Sequence, residues 1–377
     1  MVDRGADSPS FVPGATAAPL DGVFVLDFTE LLPGPFLTQS LVELGATVVK
    51  VERPPGGDRL RQASPAVFQA VNRGKQCLTL DLRAPEDRRR VMELVAQADV
   101  LVEAYRPGVM ARHGLDYKTL RASHPGLIYL SLTGYGQTGP DALLPGHDVN
   151  YLAAAGALAL SGSVGTPAQT GAGVPMADLC GSAYGLSALL AALYQRERAG
   201  LGQHLDVALT DSVAHWMNSR LAPMRAAGLA TPQARRQALR RPAYGVFSCR
   251  DGRHVSIAAL EDHFWERLAA ALDLSPYDDA RYRKGAERGR LTEQINQRLA
   301  ACVAAHDADE ILGLLRRADV PVMEMLEPDQ MADSPQLRAR GLFVDTPTGP
   351  LCRFPVRLSG MSPAPPLMNG PSIASKD

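Results

Sequence analysis

Three short polar segments of this 377-residue sequence carry residue types that can move protons or form covalent bonds. His147 and Asp148 stand side by side in the segment GHDVNY, Asp178 comes just before a long apolar segment, and Glu261 ends the segment AALE. A histidine changes its charge near neutral pH, and a carboxylate can serve as a base, an acid or a nucleophile. These three segments are therefore the candidates for chemistry.

Each candidate also has a purely structural interpretation. Asp178 is placed to cap the apolar helix that follows it, and Glu261 can be a helix cap or a surface residue. His147 can provide hydrogen bonds to polar groups of a loop or of a buried network. A carboxylate at a helix N-terminus also lies among free N–H groups, which could hold a developing oxyanion. Cys180 is close to Asp178, and both a nucleophilic thiol and a small core residue fit its position.

The apolar pattern around these segments predicts alternating strands and helices. Strands are predicted at residues 23–28, 46–51, 78–82, 100–102, 127–132 and 205–209. Amphipathic segments such as 86–97 lie between them, and a long helix is predicted over 181–198, ending at Ala199-Gly200. Strands separated by helices are typical of a parallel, doubly wound, Rossmann-like sheet in an α/β protein.

The length of the chain favours two or three domains. The sequence predicts a hairpin over 244–249 and 254–259, followed by helical segments typical of a smaller α+β domain. The Arg-rich stretch 225–241 is interpreted as a mobile linker. The predicted organisation is therefore a flexible N-terminus at 1–20, a large domain at 21–215, a linker at 216–243, a small domain at 244–320, and a C-terminal segment at 321–377 that returns to the large domain.

Composition excludes several classes of function. Lys and Arg number 39 against 40 Asp and Glu, and this balance argues against a partner that is a nucleic acid or an anionic membrane. The five cysteines form no CxxC pair and no metal-ligand spacing, as expected for free thiols in a reducing compartment. We see no signal peptide and no run of about 20 apolar residues, so we expect a soluble, cytoplasmic protein without a metal.

Common catalytic and nucleotide-binding motifs do not occur. No GxGxxG follows the first predicted strand, and we find no GxxxxGK[ST], HExxH or GxSxG. The segment GYGQTG at 134–139 follows the fifth predicted strand and lacks the helix-opening context of a dinucleotide site. The usual oxidoreductase, ATPase, metalloprotease and hydrolase interpretations lose their main support.

The chain nevertheless resembles the family III CoA-transferase superfamily, which includes carnitine and formyl-CoA transferases and the α-methylacyl-CoA racemases. The resemblance runs from about Leu20 to about Phe343. It rests on the blocks VLDFTELLPGPFLTQSLVELGATVVKVERPPGGD, NRGKQCLTLDLR, VEAYRPGVMARHGLDY, LSLTGYGQTGP and AALYQRERAGLGQHLDVALTDS.

The resemblance implies one of two mechanisms. In the transferases, the aspartate at the position of Asp178 attacks an acyl-CoA and carries enzyme-bound intermediates. In the racemases, this aspartate and the histidine of the GHDxNY turn face opposite sides of the substrate α-carbon, and a glutamate partners the histidine. Because His147, Asp178 and Glu261 fill all three racemase positions, we expect an enzyme that moves the α-proton of a 2-methylacyl-CoA through an enolate. The segment ADLCGSAYG favours the alternative, a CoA-transferase, and other acyl-CoA chemistry or a binding-only member is the third alternative.

The resemblance also implies the partners of the site. Local cations would border the cleft for CoA and Asp148 would face the thioester or the CoA arm; the cations are Arg53, Lys75, Arg106 and Arg112. No cofactor is implied beyond the CoA moiety of the acyl-CoA substrate. The family pattern further implies an interlocked homodimer in which Glu261 comes from the partner chain. Apart from the resemblance, the arginines of 225–241 would favour a polar or carboxylated acyl chain.

Overall fold

The computed structural model describes residues 18–170 and 173–359, and contacts between residues divide the chain into two units. The larger unit comprises residues 1–161, 168–223 and 338–377, and the smaller unit comprises residues 162–167 and 224–337. Most of the predicted flexible N-terminus lies outside the described residues.

Six parallel strands form the sheet of the larger unit. They are β1 (Phe24–Phe28), β2 (Thr47–Glu52), β3 (Gln76–Thr79), β4 (Val100–Glu103), β5 (Ile128–Thr133) and β6 (His204–Ala208). Their order in the sheet is β3-β2-β1-β4-β5-β6, and each neighbouring pair is parallel. This order reverses between β1 and β4, which is where ligands of open α/β sheets bind.

Helices cover both faces of this sheet. The larger unit contains α1 (Pro33–Glu43), α2 (Leu60–Ala63), α3 (Pro65–Asn72), α4 (Pro85–Val95), α5 (Val109–Arg112), α6 (Tyr117–Ser123), α7 (Asp148–Ala154), α8 (Met176–Ala199) and α9 (Leu209–Trp216). Val25 and Val100 face a core formed with α1 and α8, whereas Leu26 and Leu101 face a second core formed with α4 and α6. The strands are therefore buried on both faces, which explains their continuous apolar sequences.

Two glycines let α8 pack closely against its neighbours. A Cβ atom at Gly181 would lie 2.2 Å from the Leu209 side chain of α9, and one at Gly185 would lie 2.5 Å from Leu37 of α1. In the described part of the chain, α8 is the one helix long and apolar enough to cross a membrane. Length and composition of this kind also suit a core helix, and 44% of its most apolar window is buried.

The smaller unit is built on an antiparallel sheet in the order β7-β8-β9. Its strands are β7 (Tyr244–Ser248), β8 (His254–Ala258) and β9 (Val322–Glu324). Its helices are α10 (Asn218–Ala226), whose first residues belong to the larger unit, α11 (Pro232–Leu239), α12 (Asp262–Ala271), α13 (Gly285–Arg290), α14 (Thr292–Ala304) and α15 (Ala308–Arg317). They enclose a separate core around the buried Trp265. The chain then continues through α16 (Pro335–Ala339) into the hairpin β10 (Phe343–Thr346) and β11 (Gly349–Cys352).

The predicted fold class, a Rossmann-like parallel sheet with a smaller α+β domain, is confirmed. The structure differs from the prediction in the segments outside the large sheet. The stretch interpreted as a linker contains α10 and α11, and α11 begins with Thr231 as its cap, whose hydroxyl accepts from Ala234 N at 3.1 Å. The C-terminal segment, predicted to begin at residue 321, returns to the larger unit only at about residue 338. The residues of β9 still belong to the smaller unit, because β9 pairs with β8.

Candidate active site

The N-terminus of α8 is capped from a distant part of the chain. Asp148, the first residue of α7, accepts hydrogen bonds from Ala177 N at 2.6 Å and from Asp178 N at 3.1 Å. These are two of the N–H groups that a helix leaves without an intrahelical partner. Two of the N–H groups expected to be free for a developing oxyanion are therefore occupied by a carboxylate.

Asp178 lies half-buried in the first turn of α8. Burial raises the pKa of its carboxyl group to about 7, and the negative charge of Asp148 contributes to the same shift. In the described part of the chain, no hydrogen bond or ion pair engages the side-chain oxygens of Asp178. A carboxylate whose oxygens have no partners and whose pKa is near 7 is available for attack on an electrophile.

The GHDVNY segment forms the beginning of α7. His147 precedes the helix with an exposed side chain, and its backbone N donates to Asn150 Oδ1 at 3.0 Å. Because the next residue, Asp148, caps α8, the structure brings His147 and Asp178 to the same corner of the larger unit.

Tyr151 is the residue of this segment to which sequence analysis gave no role. Its ring is buried edge-on against Tyr135, and its hydroxyl donates to Gly146 O at 2.6 Å. Burial, followed by the charge of Asp178, raises the pKa of the Tyr151 hydroxyl to about 12, so this group stays protonated. A Cβ at Gly134 would lie 2.2 Å from the ring. Gly134 and Gly146 thus make room for Tyr151, and these two glycines are the sequence signal that could have identified it.

Glu261 lies in the smaller unit. It occupies the residue before α12, its side chain is exposed, and its backbone oxygen accepts from Trp265 N at 3.0 Å. Its side chain makes no capping hydrogen bond to the helix. The capping alternative for the carboxylate is therefore not realised, and the proposed partnership with His147 stays a prediction.

A cleft of about 430 Å³ opens at the carboxyl ends of β1, β2 and β3, beside the loop that follows β4. This is the place where the strand order reverses, as expected for a ligand site in this fold. Its walls combine apolar and cationic side chains with two acids, Glu52 and Asp81, that pair with Arg61 and Arg83; the lining includes Phe28, Arg53, Pro54, Leu80, Arg83, Tyr105 and His113. The combination suits a ligand with a flat ring system and phosphates.

The predicted CoA-binding cations occupy different environments. Arg53 lines the large cleft and lies 3.0 Å from Glu30, whereas Arg106 lines a smaller cleft described below. Arg112 is exposed in α5, next to His113. Lys75 does not border a cleft: its side chain is fully buried and bonded to Asp27, so this residue is a core cation. Its burial leaves no room for a phosphate, and the expectation for Lys75 is corrected accordingly.

Two residues of the large cleft were missed by sequence reasoning. Arg83 is largely exposed and pairs with Asp81 at 2.9 Å, and His113, the residue after α5, lines the wall of the same cleft. Cys180 is a small core residue and not an exposed nucleophile, because its side chain is buried and burial raises the pKa of its thiol to about 11. Among the described residues, no group of three or more His, Cys, Asp or Glu side chains could hold a metal ion.

Comparison with known proteins gives the family. The sequence model described as CoA-transferase family III matches residues 20–373. The acetyl-CoA:oxalate CoA-transferase of Acetobacter aceti is 33% identical over 355 residues, which cover 92% of this chain and 91% of that protein. The succinyl-CoA:mesaconate CoA-transferase of Haloarcula hispanica is 36% identical over 345 residues, which cover 86% of this chain and 85% of that protein.

Comparison with solved structures indicates the same family. A crystal structure of a CAIB/BAIF family protein from Brucella suis superposes with a TM-score of 0.80 at 32% sequence identity, and the match covers 95% of this chain and 97% of that one. The match extends over both the parallel sheet and the smaller unit. The chain therefore belongs to the CoA-transferase family III.

Proposed function

We propose that this enzyme transfers CoA from an acyl-CoA to a free carboxylic acid, with Asp178 as the nucleophile. The observation that carries the proposal is the position of Asp178, a half-buried carboxylate without side-chain partners at the head of α8. The transferase alternative of the sequence analysis is thus preferred to racemisation. Two N–H groups that could have stabilised an enolate already donate to Asp148, and the relatives above are named as CoA-transferases.

The reaction balances without an added cofactor. A carboxylate oxygen of Asp178 attacks the thioester carbonyl, the C–S bond breaks, and CoA leaves as a thiolate, giving an acyl-aspartyl anhydride. The thiolate then attacks the carbonyl carbon of Asp178, which releases the first acid and leaves an aspartyl-CoA thioester. The second acid attacks this thioester and displaces the thiolate. The thiolate finally takes the new acyl group and frees Asp178.

The residues around Asp178 have supporting roles in this scheme. Asp148 fixes the start of α8, and burial together with the charge of Asp148 raises the pKa of Asp178 to about 7, where a carboxylate is both ionised and reactive. The large cleft would hold the nucleotide end of CoA, with Arg53 and Arg83 toward its phosphates. His147, exposed beside Asp148, would meet the acid.

We further propose a short dicarboxylic acid as the acceptor, because oxalate and mesaconate appear in the names of the relatives. The interlocked homodimer, the contribution of Glu261 from a partner chain, the cytoplasmic location and the absence of a further cofactor stay predictions.

The test is an exchange assay. The enzyme is incubated in deuterated water with succinyl-CoA, acetyl-CoA or a chiral 2-methylacyl-CoA and a panel of free mono- and dicarboxylic acids, and the products are resolved by mass spectrometry. We expect new CoA thioesters of one or more dicarboxylic acids, without deuterium at the α-carbon. Deuterium incorporation into a 2-methylacyl-CoA, without formation of any new thioester, would refute the proposal in favour of racemisation.

The pH dependence of kcat/KM offers a second prediction. Asp178 must be ionised to attack, and its pKa is about 7, so kcat/KM should rise with pH up to about 7 and level off above it. Asp148→Asn keeps an oxygen acceptor for the α8 N–H groups but removes the charge that raises the pKa. The rising limb should therefore move to lower pH, by about one unit or less because burial is the larger cause. A limb that stays in place in Asp148→Asn would contradict this account.

A further inference from the structure

A second, smaller cleft of about 230 Å³ opens in the larger unit. Buried residues at the end of β4 and in β5 form its inner part, namely Glu103, Tyr129 and Ser131. Two exposed cations, Arg106 and Lys118, stand at its mouth. The proposed transfer reaction gives no role to the carboxyl group inside this cleft.

Glu103 is a buried carboxyl group without a cationic partner. One of its oxygens accepts from Tyr105 N at 2.8 Å, and Ser131 also hydrogen-bonds to it, but no ion pair reaches it from the described residues. Burial raises the pKa of Glu103 to about 7 against these two hydrogen bonds, and the charge of Asp206 adds to the rise. An unpaired buried carboxylate is costly, and a cation bound beside it would offset that cost.

The mouth of the cleft, unlike its inner part, carries positive charge and an unpaired hydrogen-bond donor. Within the described part of the chain, neither Arg106 nor Lys118 takes part in an ion pair, and the side-chain nitrogen of Gln137 is buried without a hydrogen-bond partner. An unpaired buried donor is as unfavourable as an unpaired acceptor. The buried Gln137 nitrogen therefore lacks an acceptor, and the two exposed cations beside it add positive charge, so an anionic acceptor is favoured at the outer end of the cleft.

We propose that this cleft binds a small zwitterionic amino acid, with its ammonium group at Glu103 and its carboxylate toward Gln137, Arg106 and Lys118. A ligand of this kind satisfies both ends of the cleft, whereas a dicarboxylate or a phosphate would be repelled by Glu103. The volume of about 230 Å³ limits the ligand to a few carbon atoms. Tyr105 connects the site to the large cleft, because its backbone N donates to Glu103 while its side chain lines the large cleft.

Calorimetric titration of the full-length enzyme tests the proposal. The probes are glycine, β-alanine and 4-aminobutyrate, with propionate and propylamine as matched molecules that carry one charge. We expect at least one zwitterion to bind at least tenfold more tightly than either singly charged probe, and saturating CoA not to displace it. Three results would overturn the proposal: equal binding of a singly charged probe, displacement by CoA, or no binding of any zwitterion at concentrations up to about 10 mM.

Variants locate the binding site. Glu103→Gln should weaken zwitterion binding about tenfold or more, and Lys118→Met several-fold, whereas Arg121→Met, an exposed cation on the same helix α6, should leave it unchanged. Lys118 is exposed, so this comparison holds even if Glu103→Gln fails to fold. Equal effects of Lys118→Met and Arg121→Met would contradict the assignment.

Proton release identifies the group that meets the ammonium. Binding near pH 7 should release a proton from Glu103, which is detected as a dependence of the binding heat on the ionisation enthalpy of the buffer. The other titratable groups around this cleft are Tyr105, Asp116, Tyr117, Tyr129, His204 and Asp206, so the release must vanish in Glu103→Gln. Release that persists in this variant would overturn the assignment. Since binding requires no turnover, these results are independent of the transfer reaction.

Discussion

Replacement of Asp178 by asparagine is expected to lower the rate of CoA transfer by at least about 10³-fold, because the amide cannot form the anhydride or the thioester intermediate. The same variant should be at least as stable as the wild-type enzyme. Asp178 is half-buried beside Asp148, and removing its charge relieves both the cost of burial and a like-charge repulsion. Activity and stability therefore change in opposite directions, which separates loss of a nucleophile from loss of the fold.

Chemical trapping makes this prediction specific. With an acyl-CoA present, hydroxylamine should convert Asp178 of the wild-type enzyme to a hydroxamate, which is located by mass spectrometry of the peptide. The label should be absent without acyl-CoA and absent in Asp178→Asn. Asp309→Asn is the matched control, since Asp309 is also an aspartate in the first turn of a helix but its side chain is 82% exposed. Full transfer activity in Asp178→Asn, or labelling of another carboxylate, would exclude Asp178 as the nucleophile.

The position of Asp178 could be predicted from sequence because its signals are local. The apolar segment predicts a helix over 181–198 with Asp178 as its cap; α8 in fact begins at Met176, so Asp178 lies in its first turn and Asp148 accepts from the free N–H groups. The same kind of pattern predicts the strands of the large sheet, whose continuous apolar runs reflect burial on both faces. Local periodicity thus determined both the fold class and the element that carries the candidate nucleophile.

The environment of Asp178 could not be predicted in the same way because it is made by distant residues. Asp148 lies 30 positions before Asp178, and nothing in GHDVNY indicates that its aspartate caps another helix. Ser182 is a similar case: its Oγ lies 2.6 Å from Pro33 O, which joins α8 to the start of α1 across 149 positions. Contacts of this range depend on the packing of complete elements.

The linker prediction failed for a different reason. The segment around α11 is Arg-rich and has little apolar periodicity, so its composition favours an irregular chain. Thr231 followed by Pro232 is nevertheless a cap and a first-turn residue, and both signals are present in the sequence. Arg240 then pairs with Glu293 of α14, a contact within the smaller unit that composition cannot reveal.

Lys75 illustrates how charge can mislead when only the sequence is known, because a lysine is rarely buried. Its ammonium group lies 3.1 Å from Asp27 Oδ2, 2.7 Å from Thr38 Oγ1, 2.9 Å from Asn72 Oδ1 and 3.0 Å from Pro35 O. Burial lowers the pKa of Lys75 to about 8, against the opposing attraction of Asp27. The group therefore still carries its proton at neutral pH, and its bonds connect β1 to the beginning of α1.

Lys75→Met should consequently destabilise the enzyme by about 3–5 kcal/mol, because it leaves the fully buried Asp27 without its closest cation. Urea denaturation at pH 7 measures this change. Arg89→Met is the control: Arg89 pairs with Glu86 on the exposed face of α4, and the loss of such a pair should change stability little.

A double variant distinguishes the ion pair from a general loss of packing. If charge is the cause, Asp27→Asn in the Lys75→Met background should cost clearly less than Asp27→Asn alone, because the carboxylate it removes has already lost its partner. Lys50, which donates to Thr29 O at 2.6 Å and pairs with Asp58 at 3.0 Å, would keep the neighbouring loops in place. Strictly additive costs would contradict the ion-pair account. They would mean that Lys75 stabilises the larger unit through its alkyl chain and its bonds to neutral oxygens.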